Sequence, residues 1–269
     1  MWVRFLPGAP RLVKNAPRGA FFTFILRSMK KTLAKAFLVF LGLWLLAWNA
    51  LLTAAVGDPR SLAILKMSWG LLSAWVLVCG TLMYKNRDRV RTWVQKVPLP
   101  WQVTFVLFAT VLALAEEALT VSLTNMAPLF GANLGEAYIT ATTNYIDLVL
   151  FHSVIVFIPL FIAWAVLLSK YNFKPFAMFV LFGITGILAE VSFGGPMQVL
   201  GFAQWIFVYG LMIYLPAYCL PARANLKPVR LYHHLLAIPA TFLIALPLLV
   251  PIVFFISSVL GHPSIHFVQ

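Results

Sequence analysis

Charged residues are scarce in this chain, and acidic residues are the scarcest. Only 10% of the 269 residues are charged, and seven are Asp or Glu. A soluble domain carries roughly 25% charged residues, so the composition excludes that class. The two cysteines, Cys79 and Cys219, lack any zinc-binding or redox spacing, which leaves packing as their expected role. The chain is instead 62% hydrophobic, with a mean hydropathy of +0.93.

Apolar runs of about 20 residues recur along the sequence, and each is long enough to cross a bilayer as a helix. We therefore predict an all-α, polytopic membrane protein with a single seven-helix domain over residues 36–260. The predicted spans are 36–56, 62–84, 101–123, 146–168, 175–194, 197–219 and 235–260.

Lys and Arg are distributed unequally between the two sides of these spans. One side carries 18 of the 20, in segments 1–35, 85–96, 170–174 and 223–230. The other side has Arg60 and Lys66. This asymmetry predicts a cytoplasmic N terminus and an outer C-terminal tail, 261–269, in a prokaryotic inner membrane. The net charge of +13 is then a topology signal in contact with anionic lipid, and we expect no nucleic-acid partner.

Two segments outside the spans have a distinctive amino-acid composition. Residues 1–35 combine basic and apolar side chains, which is typical of an amphipathic helix lying on the inner surface. The long loop 124–145 has no Lys or Arg and mixes Thr, Asn and Gly with large apolar residues. It fits a cap over the outer end of the bundle, and an ordinary outer loop is the alternative.

Five of the seven acids lie between residues 116 and 190, and three of them fall inside apolar stretches. A carboxylate at membrane depth is costly, so it normally faces a partner or a cavity. Thr110, Glu117 and Thr124 recur every seven residues and form one polar stripe, which predicts that Glu117 faces the bundle interior. Glu116 lies about 100° away around the helix.

Helix direction places polar residues of three spans at a similar depth in the outer half of the membrane. We predict Glu117, Glu116, His152 and Glu190 as catalytic residues. The predicted substrate-binding residues are Asp147, Gln198, Trp205 and Tyr209. Two tail histidines, His262 and His266, are either within reach of this site or part of an unstructured tail.

Three functions are compatible with such a site. The first is a membrane-embedded enzyme that acts on a lipid or another apolar substrate by acid/base or metal-assisted chemistry, with Glu117 as the general acid/base. The second is an accessory or assembly subunit of a membrane-protein complex. The third is a proton- or cation-coupled transporter. The sequence leaves open whether a divalent metal is the cofactor, and membrane lipid is the expected partner of the enzyme.

The Glu116-Glu117 pair followed by His152 resembles the first two motifs of the CAAX-protease and bacteriocin-processing family of intramembrane glutamate proteases. The resemblance implies that the glutamates and the histidine act together on a peptide bond. This sequence departs from the motifs at two positions, with Val121 where the family has Arg and Leu148 where it has Phe. The third motif, which contains another histidine, has no counterpart, so the chain is not assigned to that family.

Overall fold

The computed structural model describes residues 18–262, with side chains from Thr32 onward except Phe193. Within this part of the chain, seven helices are long and apolar enough to cross a membrane. The prediction of an all-α polytopic membrane protein with seven spans is therefore confirmed. The helices are α1 (Arg18–Ala55), α2 (Pro59–Val94), α3 (Trp101–Asn125), α4 (Tyr145–Lys170), α5 (Pro175–Gly194), α6 (Phe202–Tyr218) and α7 (Leu231–Val259).

Both termini of the sequence extend past the described residues. Residues 1–17 of the predicted amphipathic segment lie outside, and residues 18–35 are helical and continuous with the first span. Residues 263–269 of the predicted tail, including His266, also lie outside. The chain divides into two compact units, residues 1–43 and 44–269, and the candidate site is contained in the second.

Helix starts follow from local capping chemistry. The Asp58 carboxylate accepts a hydrogen bond from the Ser61 amide, at 2.8 Å, and Pro59 opens α2 at the first helical position. This hydrogen bond lowers the pKa of Asp58, because it favours the charged form. At the start of α4, the Asn144 side chain accepts from the amides of Ile146 and Asp147. Each cap satisfies amides that the first helical turn leaves without a partner.

Glycines bring α5 and α6 into close antiparallel contact. A Cβ added to Gly183 would lie 2.5 Å from the Cα of Ile206, and one added to Gly210 would lie 2.6 Å from the carbonyl oxygen of Phe179. Side chains at these positions would hold the two backbones apart. Small residues at helix crossings serve this purpose in membrane proteins, where close van der Waals packing drives association.

Within the second unit, each of the helices α2 to α7 packs against at least two others. Helix α3 packs on α4 and α6, α2 packs against α6 and α3, and α7 lies against α4 and α5. The largest fully buried side chains are aromatic: Trp75, Trp164, Phe105, Phe161 and Phe182. Burying a tryptophan leaves its indole N–H in need of a partner, and Trp75 donates to the carbonyl of Val208 at 3.0 Å.

The loops rich in Lys and Arg meet at one end of the bundle, which we call the basic end. Gln95, after α2, donates to the carbonyl of Cys219, after α6, at 3.1 Å. The Lys227 amide, before α7, donates to the carbonyl of Lys170, at the end of α4, at 2.9 Å. The opposite end, formed by residues 126–144, is called the cap end below.

The loop at the cap end is folded against α2. A short helix, Ala127–Phe130, follows α3 directly. Its residues and those after it pack on the first turns of α2 in one apolar cluster: Ala63, Met67, Ala127, Ala132 and Ala137. Lys66 donates to the carbonyl of Phe130 at 3.3 Å, and Asn125 donates to that of Thr143 at 2.9 Å. That this loop is a cap over the outer end of the bundle stays a prediction.

Candidate functional site

Three glutamates converge in the interior of the bundle. Glu116 and Glu117 on α3 are 4% and 6% exposed. Glu190 on α5 is an electrostatic neighbour of both of them. The Thr120 hydroxyl donates to Glu117 at 3.1 Å, and Ser153 on α4 is a second hydrogen-bonding neighbour. The predicted inward orientation of Glu117 agrees with this burial.

Tyr209 completes this group, which we call the carboxyl cluster: Glu116, Glu117, Glu190 and Tyr209. The hydroxyl of Tyr209 donates a hydrogen bond to Glu190, and the ring lies against Gly186. Gly186 is thus required because any larger residue would displace the tyrosine. The close contact between α5 and α6 therefore sets the position of the donor to Glu190.

Within the described chain, no Lys or Arg is an electrostatic neighbour of the three glutamates. Three carboxylates side by side in a medium of low dielectric constant repel one another strongly. No cationic side chain of the described residues offsets this repulsion. The carboxylates are instead hydrogen-bonded, Glu117 to Thr120 and Ser153 and Glu190 to Tyr209.

His152 lies in a second group, which we call the aspartate–histidine cluster: Asp147, His152 and His262. The Nε2 atom of His152 is 3.4 Å from one carboxylate oxygen of Asp147, and the Nε2 atom of His262 is 2.7 Å from the other. The His152, His262 and Asp147 side chains are 7%, 17% and 25% exposed. The structure thus places His152 with these partners and not in the electrostatic neighbourhood of the glutamates.

A local distortion of α4 makes this cluster. In a regular α-helix, residues five apart point about 140° away from each other. Residues Leu148–His152 instead form a wider π-helical turn, in which hydrogen bonds link residues five apart. Asp147 and His152 consequently lie on one face of α4. Regular helical spacing could not reveal this pairing in the sequence.

His262 reaches the cluster from the other side, after the end of α7. Gly261 adopts a left-handed conformation, with φ of +61°, which a residue with a side chain rarely adopts. The chain turns there, and the His262 ring stacks on Phe151 with 4.6 Å between ring centroids. The sequence predicts His262 either as a site residue or as part of an unstructured tail, and only the fold brings it to Asp147.

The remaining predicted site residues lie around the carboxyl cluster and beyond it. Trp205 lies beside Tyr209, with 6.0 Å between ring centroids. Gln198 lies in the 3-10 turn Pro196–Gly201, next to Gly194. A polar pair that sequence reasoning missed lies nearby, where the buried Asn49 donates to Gln204 at 3.3 Å. Asn49 follows Leu41 and Leu45 on one face of α1, and this spacing was the available signal.

An apolar groove adjoins the aspartate–histidine cluster. It has a volume of about 350 Å³ and runs between α4 and α7. Its lining consists of Leu150, Phe151, Ile155, Pro251, Ile252, Phe255, Ile256 and Leu260. Phe151 precedes His152 and also stacks on His262, so the groove and the cluster share a wall. None of the three glutamates lines this groove.

Helix α7 is the least buried of the seven helices, and this bears on access to the groove. In the most apolar stretch of 18 residues in α7, 6% is buried, compared with 39% in the corresponding stretches of α3 and α4. Most of its surface therefore faces outward from the bundle, and in a membrane it would face hydrocarbon. The groove along α7 is accordingly placed where a lipid could reach it from the side.

Comparison of the chain with protein-family models, with curated proteins and with solved structures finds no match. The described chain is a multi-pass helical membrane protein. A fold of this class supports many functions, so the fold does not by itself identify one.

Proposed function

We propose that this protein is a membrane-embedded enzyme that performs acid/base chemistry on a lipid or another apolar substrate. The observation that carries the proposal is the shared wall between the apolar groove and the aspartate–histidine cluster. Binding sites for small molecules are mostly apolar, with a few polar groups that fix orientation, and they range upward from about 300 Å³. The groove and its polar end follow this pattern.

The position of the groove selects the class of substrate. A groove lined by aliphatic, aromatic and proline side chains and open to the bilayer suits an acyl or isoprenoid chain. The polar bond of such a molecule would then lie at Asp147, His152 and His262. With the basic end in the cytoplasm, as the charge asymmetry predicts, this site would act on the outer leaflet.

The paired Asp147 and His152 have the arrangement of an acid/base couple. A carboxylate that contacts one ring nitrogen orients an imidazole and stabilises its protonated form, while the ring exchanges protons with a substrate. The side chain of His152 is more buried than that of Asp147, and His152 directly follows Phe151, which lines the groove. We assign His152 the proton transfer and Asp147 the orienting role.

Glu117 takes a different place in this proposal. It is buried, and its neighbour Ser153 directly follows His152 in the chain. Glu117 can therefore exchange protons on the side of α4 that faces the bundle interior. The hydroxyl of Ser153 can connect Glu117 with the surroundings of His152. Glu116 and Glu190 support it from the same cluster.

Lipid turnover in a defined membrane tests the proposal. The purified protein is placed in nanodiscs made from a bacterial lipid extract, and substrate loss and product formation are followed by mass spectrometry. We expect turnover by the wild type and by His234→Ala, whose substituted histidine lies at the start of α7 at the basic end. His152→Ala should reduce turnover by at least about 100-fold, the lower range for removing a general acid/base.

Two outcomes would contradict this function. One is turnover by His152→Ala at the rate of His234→Ala, because the proton transfer would then not depend on the cluster. The other is no lipid change by the wild type across the extract, including apolar isoprenoids added to it. Thermal unfolding of each variant is measured alongside, so that loss of activity is compared only among folded proteins.

A further inference from the structure

The aspartate–histidine cluster has a second property, which concerns the atoms that its side chains present. Nε2 of His152, Nε2 of His262 and a carboxylate oxygen of Asp147 all lie within 4.8 Å of one another. Both imidazoles direct the same ring nitrogen at the same carboxylate. Three donor atoms this close together are the minimum for a protein metal site.

The fold holds each of these side chains in place independently. Asn144 caps α4 through the amides of Ile146 and Asp147, which leaves the Asp147 carboxylate available to the histidines. The π-helical turn Leu148–His152 brings His152 to the same face. The His262 amide donates to the carbonyl of Ile256 at 3.1 Å, and this bond closes the turn after α7. The ligand positions therefore belong to ordered backbone.

The donor set identifies the class of ion. Two imidazole nitrogens and one carboxylate oxygen suit Zn²⁺ and other divalent transition metals, whereas Ca²⁺ and Mg²⁺ prefer oxygen ligands alone. Three protein ligands leave a coordination position free for water or substrate, which is the pattern of catalytic zinc. The groove reaches the cluster on the side of Phe151 and Leu260.

We propose that Asp147, His152 and His262 bind one divalent transition-metal ion, with Zn²⁺ the best match to the ligands. This inference rests on the proposed function in one respect, namely that the ion would lie where the polar bond of the substrate is expected. With an ion bound, His152 would be a ligand, and water in the free coordination position would be the group that exchanges protons with the substrate. Without an ion, the contacts of His152 and His262 with Asp147 hold the donors together. Bound metal would replace these contacts with bonds of about 2.0–2.2 Å.

Metal binding can be measured without any substrate. The protein is purified in detergent with a tag that contains no histidine, stripped with a chelator, and titrated with Co²⁺ while its visible absorption is recorded. Zn²⁺ is then added in competition, and the metal content is determined by mass spectrometry. We expect one ion per chain in the wild type and absorption bands typical of tetrahedral or five-coordinate Co²⁺.

Three variants and a control locate the site. Asp147→Asn, His152→Ala and His262→Ala should each weaken binding by at least about tenfold, since loss of outer partners of metal ligands alone costs 10–100-fold. His234→Ala should bind as the wild type does. Asp147→Asn preserves the size of the side chain, and its thermal unfolding shows whether a loss of metal reflects a loss of fold.

The results separate this inference from the proposed function. Equal metal binding by the wild type and all variants would show that the ion is adventitious and would overturn the proposed site. No metal binding by the wild type would overturn it as well. Lipid turnover that survives chelation, together with no metal bound by the wild type, would overturn the metal site while the enzyme proposal stands. Metal bound without lipid turnover would leave the metal site intact and contradict the proposed function.

Discussion

The contact between α5 and α6 predicts a large effect from a single methyl group. In Gly183→Ala, the added Cβ would lie 2.5 Å from the Cα of Ile206, whereas ordinary contacts begin at 3.4 Å. The two helices must then separate by about 0.9 Å at the crossing. The obstructing atoms include backbone, which cannot rotate away as the end of a side chain can.

The expected cost follows from two opposing contributions. Overpacking a tight interface costs about 1–3 kcal/mol, and the backbone obstruction favours the upper part of that range. Alanine is favoured over glycine in a helix by about 1 kcal/mol, which offsets part of the cost. We therefore expect a net destabilisation of about 2 kcal/mol, measured by reversible unfolding in mixed micelles of mild detergent and SDS.

Gly80→Ala is the matched control for this substitution. Its Cβ would lie 3.2 Å from the Cδ1 atom of Leu211, the end of a flexible side chain that can move. We expect its free energy of unfolding to stay within about 1 kcal/mol of the wild type. Equal stability of Gly183→Ala and Gly80→Ala would refute the close packing of α5 on α6, and with it the placement of Tyr209 against Glu190.

Three further substitutions probe separate parts of the chain. Tyr209→Phe removes the hydroxyl that donates to Glu190, and unfolding in mixed micelles should show a loss of about 2 kcal/mol, whereas no change would contradict the contact. Asp58→Asn keeps a helix cap but removes a carboxyl with a lowered pKa. The contribution of Asp58 to the free energy of unfolding is complete above 3.8, the ordinary pKa of this carboxyl. It is lost as the pH falls through the lower pKa of the folded state, so only the wild type should lose this part of its thermal stability in acid. Ile256→Trp fills the groove and should abolish lipid turnover, while the exposed Leu243→Trp on the same helix should not.

Hydropathy predicted the spans well because crossing a bilayer is a constraint on continuous stretches of sequence. Predicted span 101–123 and observed Trp101–Asn125 begin at the same residue. The first two spans are exceptions, since α1 already begins at Arg18 and α2 continues to Val94 through polar residues such as Arg89 and Arg91. A span predicted from hydropathy ends where polar residues begin, but the backbone hydrogen bonds of the helix continue past that point.

The carboxyl cluster was accessible to sequence reasoning because its members lie on regular helices. Glu117 repeats with Thr110 and Thr124, and helix direction set Glu190 at a similar depth. The partners of His152 were not accessible in this way. They depend on a π-helical turn in α4 and on the left-handed Gly261, and neither has a periodic pattern in the sequence. Asp147 was predicted to bind substrate, and the structure places it between two histidines.

The central claim is that the groove and the aspartate–histidine cluster form one lipid site. The most direct test is cross-linking with a photoactivatable acyl lipid in nanodiscs, followed by mass spectrometry of the labelled peptides. The account predicts labelling within residues 150–155 of α4 and residues 251–260 at the end of α7, abolished by Ile256→Trp and retained by Leu243→Trp. Labelling spread evenly over the lipid-facing residues of the other helices, or unchanged by Ile256→Trp, would contradict it.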